Sequence, residues 1–248
     1  MAEIKVQVQS NQAELTRREE FVKLVKQTPI PDNEIMDNVG LYLKRQTLSR
    51  ILFMQQIYSQ IIDVHGVVME FGVRWGQNMA LFETFRGIYE PYNYNRKIIG
   101  FDTFEGFPEI HPNDGNRSNV GDYAVTENYE EYLEKILEYH ESESPISHMK
   151  KFELVKGDAT VTIDNYLSEH PETIVALAYF DFDLYKPTKH CLEAIKDRLT
   201  KGSIIAFDEL NFAGFPGETI ALREVFGLDK YRIRRSPLAP LCSYIVIE

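Results

Sequence analysis

The spacing of hydrophobic positions along this chain changes near residue 66. Residues 12–27 are rich in good helix formers and end at a Thr-Pro-Ile-Pro-Asp segment, and residues 41–62 place apolar side chains close to a 3.6-residue period. The apolar positions of the second segment are Leu41, Leu48, Ile51, Leu52, Ile57, Ile61 and Ile62. Two helices that precede any strand predict an N-terminal helical extension over residues 1–64, which packs either on the core or on a second subunit.

Beyond residue 66, short apolar runs alternate with helical stretches. Five runs have the composition of strands: residues 67–71, 98–101, 152–155, 174–180 and 204–207. Helical patterns lie between and after them, notably at residues 128–140, 186–199 and 218–226. Run 174–180 is apolar without alternation, as expected for a strand covered on both faces, and a closing pair of strands is expected within residues 231–247. The pattern predicts one doubly wound α/β domain over residues 65–248, with a mostly parallel seven-stranded sheet.

One connection differs from the others. Residues 106–122 are dense in Gly, Pro, Asn and Asp and are too many for a bare link between elements. Such a segment at the carboxyl end of a strand is typical of a lid or a binding loop, so we predict a lid over residues 106–125. The alternative is a disordered surface insert. His111 lies in this segment and is a candidate for reaching a substrate.

In an open parallel sheet, ligands bind outside the carboxyl ends of the strands. The first predicted strand is followed by Gly72 and Gly76 before a helix, which leaves backbone amides free for a cofactor. The second strand ends at Asp102, where a carboxylate typically accepts hydrogen bonds from a ribose diol. The third is followed by Asp158, which either binds an adenine amino group or caps the next helix.

Acidic residues follow the fourth and fifth predicted strands. Asp181 and Asp183 lie two apart and are expected to point the same way from an extended chain, and Asp208 and Glu209 follow the neighbouring strand. Crowded carboxylates repel one another unless a cation joins them. An all-oxygen donor set suits a hard ion, Mg²⁺ first and then Mn²⁺ or Ca²⁺. The alternative is that these side chains cap a helix or pair with surface lysines.

Composition and charge narrow the function classes. Lys and Arg number 27 against 38 Asp and Glu, a net charge of −11, which disfavours binding to nucleic acid or to an anionic membrane. Two cysteines suit a reducing compartment, no apolar stretch is long enough to cross a bilayer, and the first twenty residues lack the apolar core of a signal peptide. We therefore expect a cytoplasmic protein. Nucleophile-elbow, phosphate-loop and zinc-spacing motifs are absent from the sequence, which removes the common hydrolase and NTPase classes.

Several sequence blocks resemble one known family. GFDTFEGFP (100–108), VKGD (155–158), DFDLYKPTK (181–189) and the acidic pair after the fifth strand resemble the TylF/MycF (macrocin-type) O-methyltransferases. EFGVRWGQN (70–78) and the run from LAYFDFDLYKPT to LTKGSIIAFDE are most similar to the branch that holds the calicheamicin-pathway rhamnosyl 4-O-methyltransferase. The resemblance spans about residues 66 to 228. It implies a class I, Rossmann-like methyltransferase that transfers a methyl group from S-adenosylmethionine to a sugar hydroxyl of a glycosylated natural product, as in antibiotic biosynthesis.

The resemblance also implies roles for individual residues. The residues that would bind S-adenosylmethionine are Glu70, Phe71 and Gly72 at its methionine end, Asp102 and Thr103 at its ribose, and Asp158 at its adenine. The residues that would bind Mg²⁺ (or Mn²⁺) are Asp181, Asp208 and Glu209, although the family commonly has Asp-Asp where this chain has Asp208-Glu209.

A sugar hydroxyl holds its proton almost as firmly as water, whose pKa is about 15.7, so the reaction needs a base. Asp181 is the first candidate, followed by a metal-bound hydroxide or His111. Two other functions stay open: an O-methyltransferase of a catechol-like acceptor, and a non-catalytic adenosyl-binding module. The apolar stripe of residues 41–62 makes a homo-oligomer the expected assembly.

Overall fold

The computed structural model describes residues 10–248. The first nine residues of the predicted extension lie outside the described residues. The described part of the extension contains two α-helices, α1 (Gln12–Lys26) and α2 (Arg45–Tyr58), with 3₁₀ turns at Asp32–Glu34 and Val39–Tyr42 between them. Helix α1 buries none of its residues, whereas α2 packs on the rest of the chain.

The face of α2 that packs matches the predicted stripe only in part, since Ile57 and, just beyond the helix, Ile61 are fully buried. Its buried residues are Phe53, Met54, Ile57 and Tyr58. Four members of the predicted stripe are exposed instead: Leu41, Leu48, Leu52 and Ile62. The helix turns its large aromatic and sulfur-containing side chains toward the sheet, because these fill more of the space there than leucine would.

The seven strands form one sheet in the order β3-β2-β1-β4-β5-β7-β6. They are β1 (Val67–Phe71), β2 (Ile98–Asp102), β3 (Phe152–Lys156), β4 (Val175–Phe180), β5 (Leu199–Phe207), β6 (Arg234–Arg235) and β7 (Ser243–Val246). Strands β1 to β5 pair in parallel, and β7 runs antiparallel to both of its neighbours. The predicted doubly wound, mostly parallel sheet of seven strands is confirmed.

Five further helices cover the sheet. They are α3 (Gln77–Tyr89), α4 (Tyr129–Ser142), α5 (Ala159–Glu169), α6 (Tyr185–Ile195) and α7 (Gly217–Val225). Buried side chains of α2, α3 and α4 form one hydrophobic core with one face of the sheet, and those of α5, α6 and α7 form a second core with the other face. Helix α2 therefore belongs to the main core, while the predicted domain boundary near residue 64 remains a prediction. None of the helices described is long and apolar enough to cross a membrane.

Strand β5 begins earlier than its apolar pattern predicts. The sequence pattern extends the preceding helix to residue 199 and starts the strand at residue 204, but α6 ends at Ile195 and β5 already begins at Leu199. Between residues 199 and 204 the strand contains Lys201, which is exposed, and Gly202, which has a φ of 91°. The pattern detects only the buried half of a strand, because the solvent-exposed half carries no hydrophobic signal.

Four phenylalanines form a row across the carboxyl ends of the parallel strands. From β2 through β1 and β4 to β5 they are Phe101, Phe71, Phe180 and Phe207, which are aligned in register and fully buried. Successive rings stack with centroids 5.1, 4.6 and 5.4 Å apart. This row belongs to the core shared with α5, α6 and α7 and makes a rigid floor at the strand ends.

Candidate active site

A cavity opens directly above this row of phenylalanines. In the same order across the sheet, the residues that follow the row are Asp102, Gly72, Asp181 and Asp208, and all four line the cavity. Three more of the predicted site residues line it: Thr103, Asp158 and Glu209. The ends of five strands thus bring together residues that are far apart in sequence, as the parallel sheet predicts.

Asp102 organises the cofactor half of the cavity. Its Oδ2 accepts a hydrogen bond from the backbone N–H of Arg74 at 2.7 Å, and its Oδ1 accepts one from Phe104 at 2.5 Å. Burial raises the pKa of Asp102, and these backbone donors oppose the shift. The neighbouring Thr103 donates its hydroxyl to the carbonyl of Gly106 at 2.9 Å. Because each carboxylate oxygen has two lone pairs, Asp102 retains acceptor capacity for a ribose diol.

Asp158 has the capping role that the sequence left open. Its Oδ1 accepts hydrogen bonds from the backbone N–H and the hydroxyl of Thr160, at 2.9 and 2.8 Å, at the start of α5. Since Asp158 is exposed and lines the cavity, the cap also places its carboxylate beside the space where an adenine would lie. The adenine contact stays a prediction.

The other two predicted cofactor residues lie behind the cavity wall. Glu70 is fully buried; its Oε1 accepts a hydrogen bond from Asn78 at 2.8 Å, and its Oε2 has no partner among the described residues. Burial raises the pKa of Glu70 well above its usual range. The ring of Phe71 belongs to the phenylalanine row rather than to the cavity lining. Gly72, which has a φ of 97°, does line the cavity, and a Cβ at this position would collide with the carbonyl oxygen of Asp181.

We call Asp181, Asp183, Asp208 and Glu209 the acidic edge; all four line the cavity. Burial and the nearby Asp208 raise the pKa of Asp181 to about 7, and Arg50 opposes this shift. Burial and Asp208 likewise raise the pKa of Glu209 to about 7. The mutual repulsion expected from the sequence is therefore present.

The extended geometry expected at Asp183 is wrong. Strand β4 ends at Phe180, and Asp183 has a φ of 60°, in the left-handed region. Gly217 permits this turn, because a Cβ there would lie 2.7 Å from the carbonyl oxygen of Asp183. The Asp183 side chain is buried, and burial together with Asp181 and Glu209 raises its pKa well above the usual range.

A residue that the sequence reasoning missed ties together the two loops of the acidic edge. Glu218, in the first turn of α7, is fully buried. Its Oε1 accepts a hydrogen bond from the backbone N–H of Phe182 at 3.2 Å, and its Oε2 accepts one from Glu209 at 3.4 Å. One carboxylate therefore spans the loop after β4 and the loop after β5.

Arg50 is the second residue that sequence reasoning missed. From α2, its guanidinium donates to the carboxylate of Asp181, to the hydroxyl of Tyr179 at 3.1 Å, and to Asp208 at 3.3 Å. Tyr179 in turn donates its hydroxyl to Asp208 at 2.9 Å. A sequence signal was available: Arg50 precedes the buried Phe53 by one helical turn, so it is a cation on the buried face of its helix.

The loop over residues 106–125 borders the cavity through Gly106, Phe107, Pro108 and Tyr123. It is anchored by Asp114, which is buried and whose Oδ1 accepts a hydrogen bond from the backbone N–H of Tyr185 at 2.6 Å. This structured loop does not fit the alternative of a disordered insert. A lid motion remains a prediction.

His111 does not line the cavity. Its Nδ1 accepts a hydrogen bond from the backbone N–H of Asn113 at 3.1 Å, and its ring packs 4.9 Å from that of Tyr185. The imidazole therefore shapes the loop, and the base role predicted for His111 stays a prediction.

The predicted metal ligands do not form a ready-made metal site among the described residues. Across residues 10–248, no three His, Cys, Asp or Glu side chains are placed so that they could already hold a metal ion. Asp181 and Asp208 are instead joined by Arg50. Their chemistry still fits a hard cation. The three carboxylates of Asp181, Asp208 and Glu209 border one cavity, and Glu209 Oε2 is buried without a partner among the described residues.

Comparison with known proteins agrees with this site. The family model described as macrocin-O-methyltransferase (TylF) matches residues 45–224, a span that includes α2 and its Arg50 as well as the strand ends. None of the curated proteins compared with this chain matches it.

Solved structures give the nearest detail. A structure of CalS11, described as a calicheamicin methyltransferase, is 42% identical, with 99% of each chain covered and a TM-score of 0.93. An apo structure of CalS11, described as a TDP-rhamnose 3'-O-methyltransferase, is also 42% identical, with 96% of each chain covered and a TM-score of 0.85. The similarity to the calicheamicin-pathway branch is thus confirmed. The sugar hydroxyl named for CalS11 is the 3' one, whereas the resemblance gave position 4. The O-methyltransferase NovP shares the fold, at 16% identity, 80% and 79% coverage and a TM-score of 0.59.

The match to the family model covers most of the chain, and the cavity has the cofactor half and the acidic edge described above. This chain therefore belongs to the TylF family of macrocin O-methyltransferases and is an S-adenosylmethionine-dependent O-methyltransferase.

Proposed function

We propose that this enzyme methylates a sugar hydroxyl during the biosynthesis of a glycosylated natural product, and that a nucleotide-linked 6-deoxyhexose is the first acceptor to test. The support for the acceptor is the similarity to CalS11, which is described as acting on TDP-rhamnose. The observation that carries the chemistry is the position of Asp181. It follows Phe180 at the end of β4, next to Gly72 on the cofactor side and Asp208 on the other.

Asp181 is the proposed base. In the transfer, the acceptor oxygen attacks the sulfonium methyl group, the carbon–sulfur bond breaks, and S-adenosylhomocysteine leaves as a neutral thioether. The hydroxyl proton passes to a carboxylate oxygen of Asp181. Before any ion binds, burial and the nearby Asp208 raise the pKa of Asp181 to about 7, which makes this group a stronger base than an ordinary carboxylate.

The remaining residues position the two substrates. Asp102 and Asp158 are proposed to hold the ribose and the adenine, and Gly72 lets the backbone approach the methionine end of the cofactor. Glu70 is proposed to accept a hydrogen bond from the cofactor's ammonium group through Oε2, which has no partner among the described residues; because Glu70 lies behind the cavity wall, this contact requires the wall to open. Alignment of oxygen, methyl carbon and sulfur is then the main contribution to the rate.

The metal is a finer part of the proposal. Asp181, Asp208 and Glu209 would hold Mg²⁺ or Mn²⁺, and the support is their all-oxygen chemistry and their shared cavity. When bound, the ion would supply Lewis-acid stabilisation of the developing alkoxide. We expect excess EDTA to abolish turnover while S-adenosylhomocysteine binding, measured by calorimetry, changes little. Undiminished turnover after metal stripping would remove the ion from the proposal.

The acceptor assay separates this function from its alternatives. TDP-rhamnose, a glycosylated natural product and a catechol are each incubated with the enzyme and S-adenosylmethionine, and S-adenosylhomocysteine formation is followed by mass spectrometry. Methylation of either sugar acceptor, located on the ring by NMR, supports the proposal. Methylation of the catechol alone favours the catechol-type enzyme. Cofactor binding without turnover on any acceptor favours a non-catalytic module.

A homo-oligomer is also proposed. Its support is that α1 buries no residue and that apolar side chains are exposed in α1, such as Leu24 at 66%, and after it, such as Met36 at 74%. Light scattering after size exclusion tests this, and a monomeric mass at micromolar concentration would contradict it.

A further inference from the structure

The cation at the acidic edge comes from the N-terminal part of the chain. The guanidinium of Arg50 contacts Asp181 through Nη2 and lies 3.2 Å from Asp208 through Nη1. Its side chain is about two-thirds buried, with 31% exposed. Helix α2 presents it from a fixed position, because Phe53 and Met54 on the same face are fully buried in the core.

The far end of α2 is fixed as well. Tyr58 donates its hydroxyl to the buried Glu90 at 2.7 Å, and Glu90 pairs with Arg96 at 3.0 Å. Arg96 in turn donates to the carbonyl groups of Ile61 and Val64, at 2.8 and 2.7 Å. Arg50 is therefore held against the acidic edge by packing and buried hydrogen bonds rather than by its own ion pairs alone.

Arg50 contacts two of the three carboxylates that the proposed function assigns to a divalent ion. An oxygen lone pair that accepts a guanidinium hydrogen is not available to a metal, and two cations side by side repel each other. Yet without a cation the acidic edge would carry uncompensated buried charge, which is costly. The same carboxylates thus have two mutually exclusive partners.

We propose that Arg50 is a placeholder cation: it bridges Asp181 and Asp208 when the divalent ion is absent, and its guanidinium leaves their oxygens when the ion binds. The inference rests on the metal part of the proposed function. It makes α2 a contributor to the metal site, and it predicts that the affinity for the ion is lower than the three carboxylates alone would provide. It also explains how the acidic edge stays assembled before the ion arrives.

A second arginine provides the control for net charge. Arg74 lines the same cavity, and its charge also lowers the pKa of Asp181. Its guanidinium lies over the ring of Tyr123 at 5.1 Å, and no hydrogen bond joins it to the acidic edge in the residues described. Removing Arg74 changes the charge of the cavity without freeing a carboxylate oxygen, whereas removing Arg50 does both.

The experiment measures Mn²⁺ binding, by electron paramagnetic resonance and calorimetry, to the full-length protein without cofactor. The variants are Arg50→Met, Arg74→Met and Arg45→Met, the last at an exposed position at the start of α2, five residues before Arg50. We expect Arg50→Met to bind Mn²⁺ at least about tenfold more tightly than the parent, because the ion no longer displaces a guanidinium from two carboxylates and one charge-assisted contact alone accounts for about tenfold. Arg74→Met should change the affinity by less than about threefold, since screened charge is worth little, and Arg45→Met should leave it unchanged.

The outcomes distinguish a failure of this inference from a failure of the proposed metal site. If the parent protein binds Mn²⁺ and Arg50→Met binds it equally or more weakly, the inference is overturned and the metal site remains. The same conclusion follows if Arg50→Met and Arg74→Met tighten binding equally. Binding by neither the parent nor Arg50→Met overturns both. Binding only by Arg50→Met supports the inference. If Arg50→Met does not fold, as judged by circular dichroism, Arg50→Lys replaces it. A single ammonium cannot bridge both carboxylates, so a smaller tightening is expected, and unchanged affinity overturns the inference.

Discussion

Two clusters of charged side chains lie close to the sheet, and they differ in balance. The structural cluster, on the side of α3 and α4, contains Glu83, Arg86, Glu141 and Lys151, all of them buried. Arg86 pairs with Glu141 at 3.0 Å and donates to the carbonyl of Lys151 at 2.8 Å. Two cations face at most two negative charges, because Glu83 holds a proton below about pH 8, and the amino group of Lys151 also donates to backbone carbonyls at 2.9 and 2.8 Å.

The acidic edge has no such balance. Its four carboxylates have Arg50 as their hydrogen-bonded cation, the fully buried Glu218 lies behind them, and the cluster borders a cavity. Burial of charge alone therefore does not mark a functional site in this protein. An excess of one sign beside open space does, because the missing charge has to come from a ligand, an ion or a proton.

The largest effect is expected at the acidic edge. Asp181→Asn removes the proposed base while keeping its size, so we expect kcat to fall between about 10²- and 10⁴-fold, with the melting temperature nearly unchanged. Steady-state assays and thermal melting measure the two quantities. The control is Asp164→Asn, at a carboxylate that is 57% exposed and pairs with His190. Wild-type turnover by Asp181→Asn would assign the base elsewhere.

In the structural cluster the same kind of change should act on stability instead. Arg86→Met removes one of the two cations that pair with the buried Glu141 and leaves only Lys151, so we expect the free energy of unfolding to fall by about 3 kcal/mol. Chemical denaturation measures this. The matched control is Lys150→Met, which breaks an exposed pair with Glu134 and should cost less than about 1 kcal/mol. A similar small loss of stability in both variants would show that the buried ion pairs of this cluster contribute no more than an exposed pair.

Glu83 makes the stability of the structural cluster depend on pH. Both of its carboxylate oxygens are buried without a hydrogen-bond partner in the part of the chain described, and burial raises its pKa to about 8. The folded protein therefore holds a proton that the unfolded chain releases at its ordinary pKa near 4.5, so the stability of the parent falls as the pH rises from 4.5 to about 8.

The variant Glu83→Gln removes this proton dependence. We expect it to match the parent near pH 4.5 and to exceed its unfolding free energy above pH 8 by about 3 to 5 kcal/mol, the size that linkage gives for a pKa shift from 4.5 to about 8. Denaturation curves across this pH range measure the difference. A constant difference at all pH values would show that Glu83 does not titrate in the folded state.

The smallest effect is expected at Glu218, which joins the two loops of the acidic edge. Glu218→Gln keeps one acceptor oxygen but turns an amide N–H₂ toward one of the two backbone donors, so the loops should shift slightly. We expect kcat/KM to fall by about fivefold to tenfold, a cost near 1 kcal/mol, mainly through kcat if Asp181 is displaced. Glu193→Gln, on the exposed side of α6, is the control. Unchanged kinetics would limit Glu218 to a packing role.

Local patterns in the sequence were sufficient for the sheet and for the residues at its edge. Strands are short apolar runs, and parallel strands end at one side of the sheet, so the residue after each run was placed correctly at Asp102, Asp181 and Asp208. Both arguments use spacing within a few residues. They misplaced the start of β5 and the direction of Asp183, where exposure and a left-handed turn carry no hydrophobic signal.

Only the tertiary structure decided which partners these residues have. Arg50 reaches Asp208 across 158 positions of sequence, and Glu218 joins loops that belong to different strands. Phe71 faces the core and His111 lies outside the cavity, although each is next to residues that were placed correctly. The physical reason is that a charge's partner depends on how helices pack against the sheet, and side-chain packing over long sequence distances leaves no periodic trace in a single sequence.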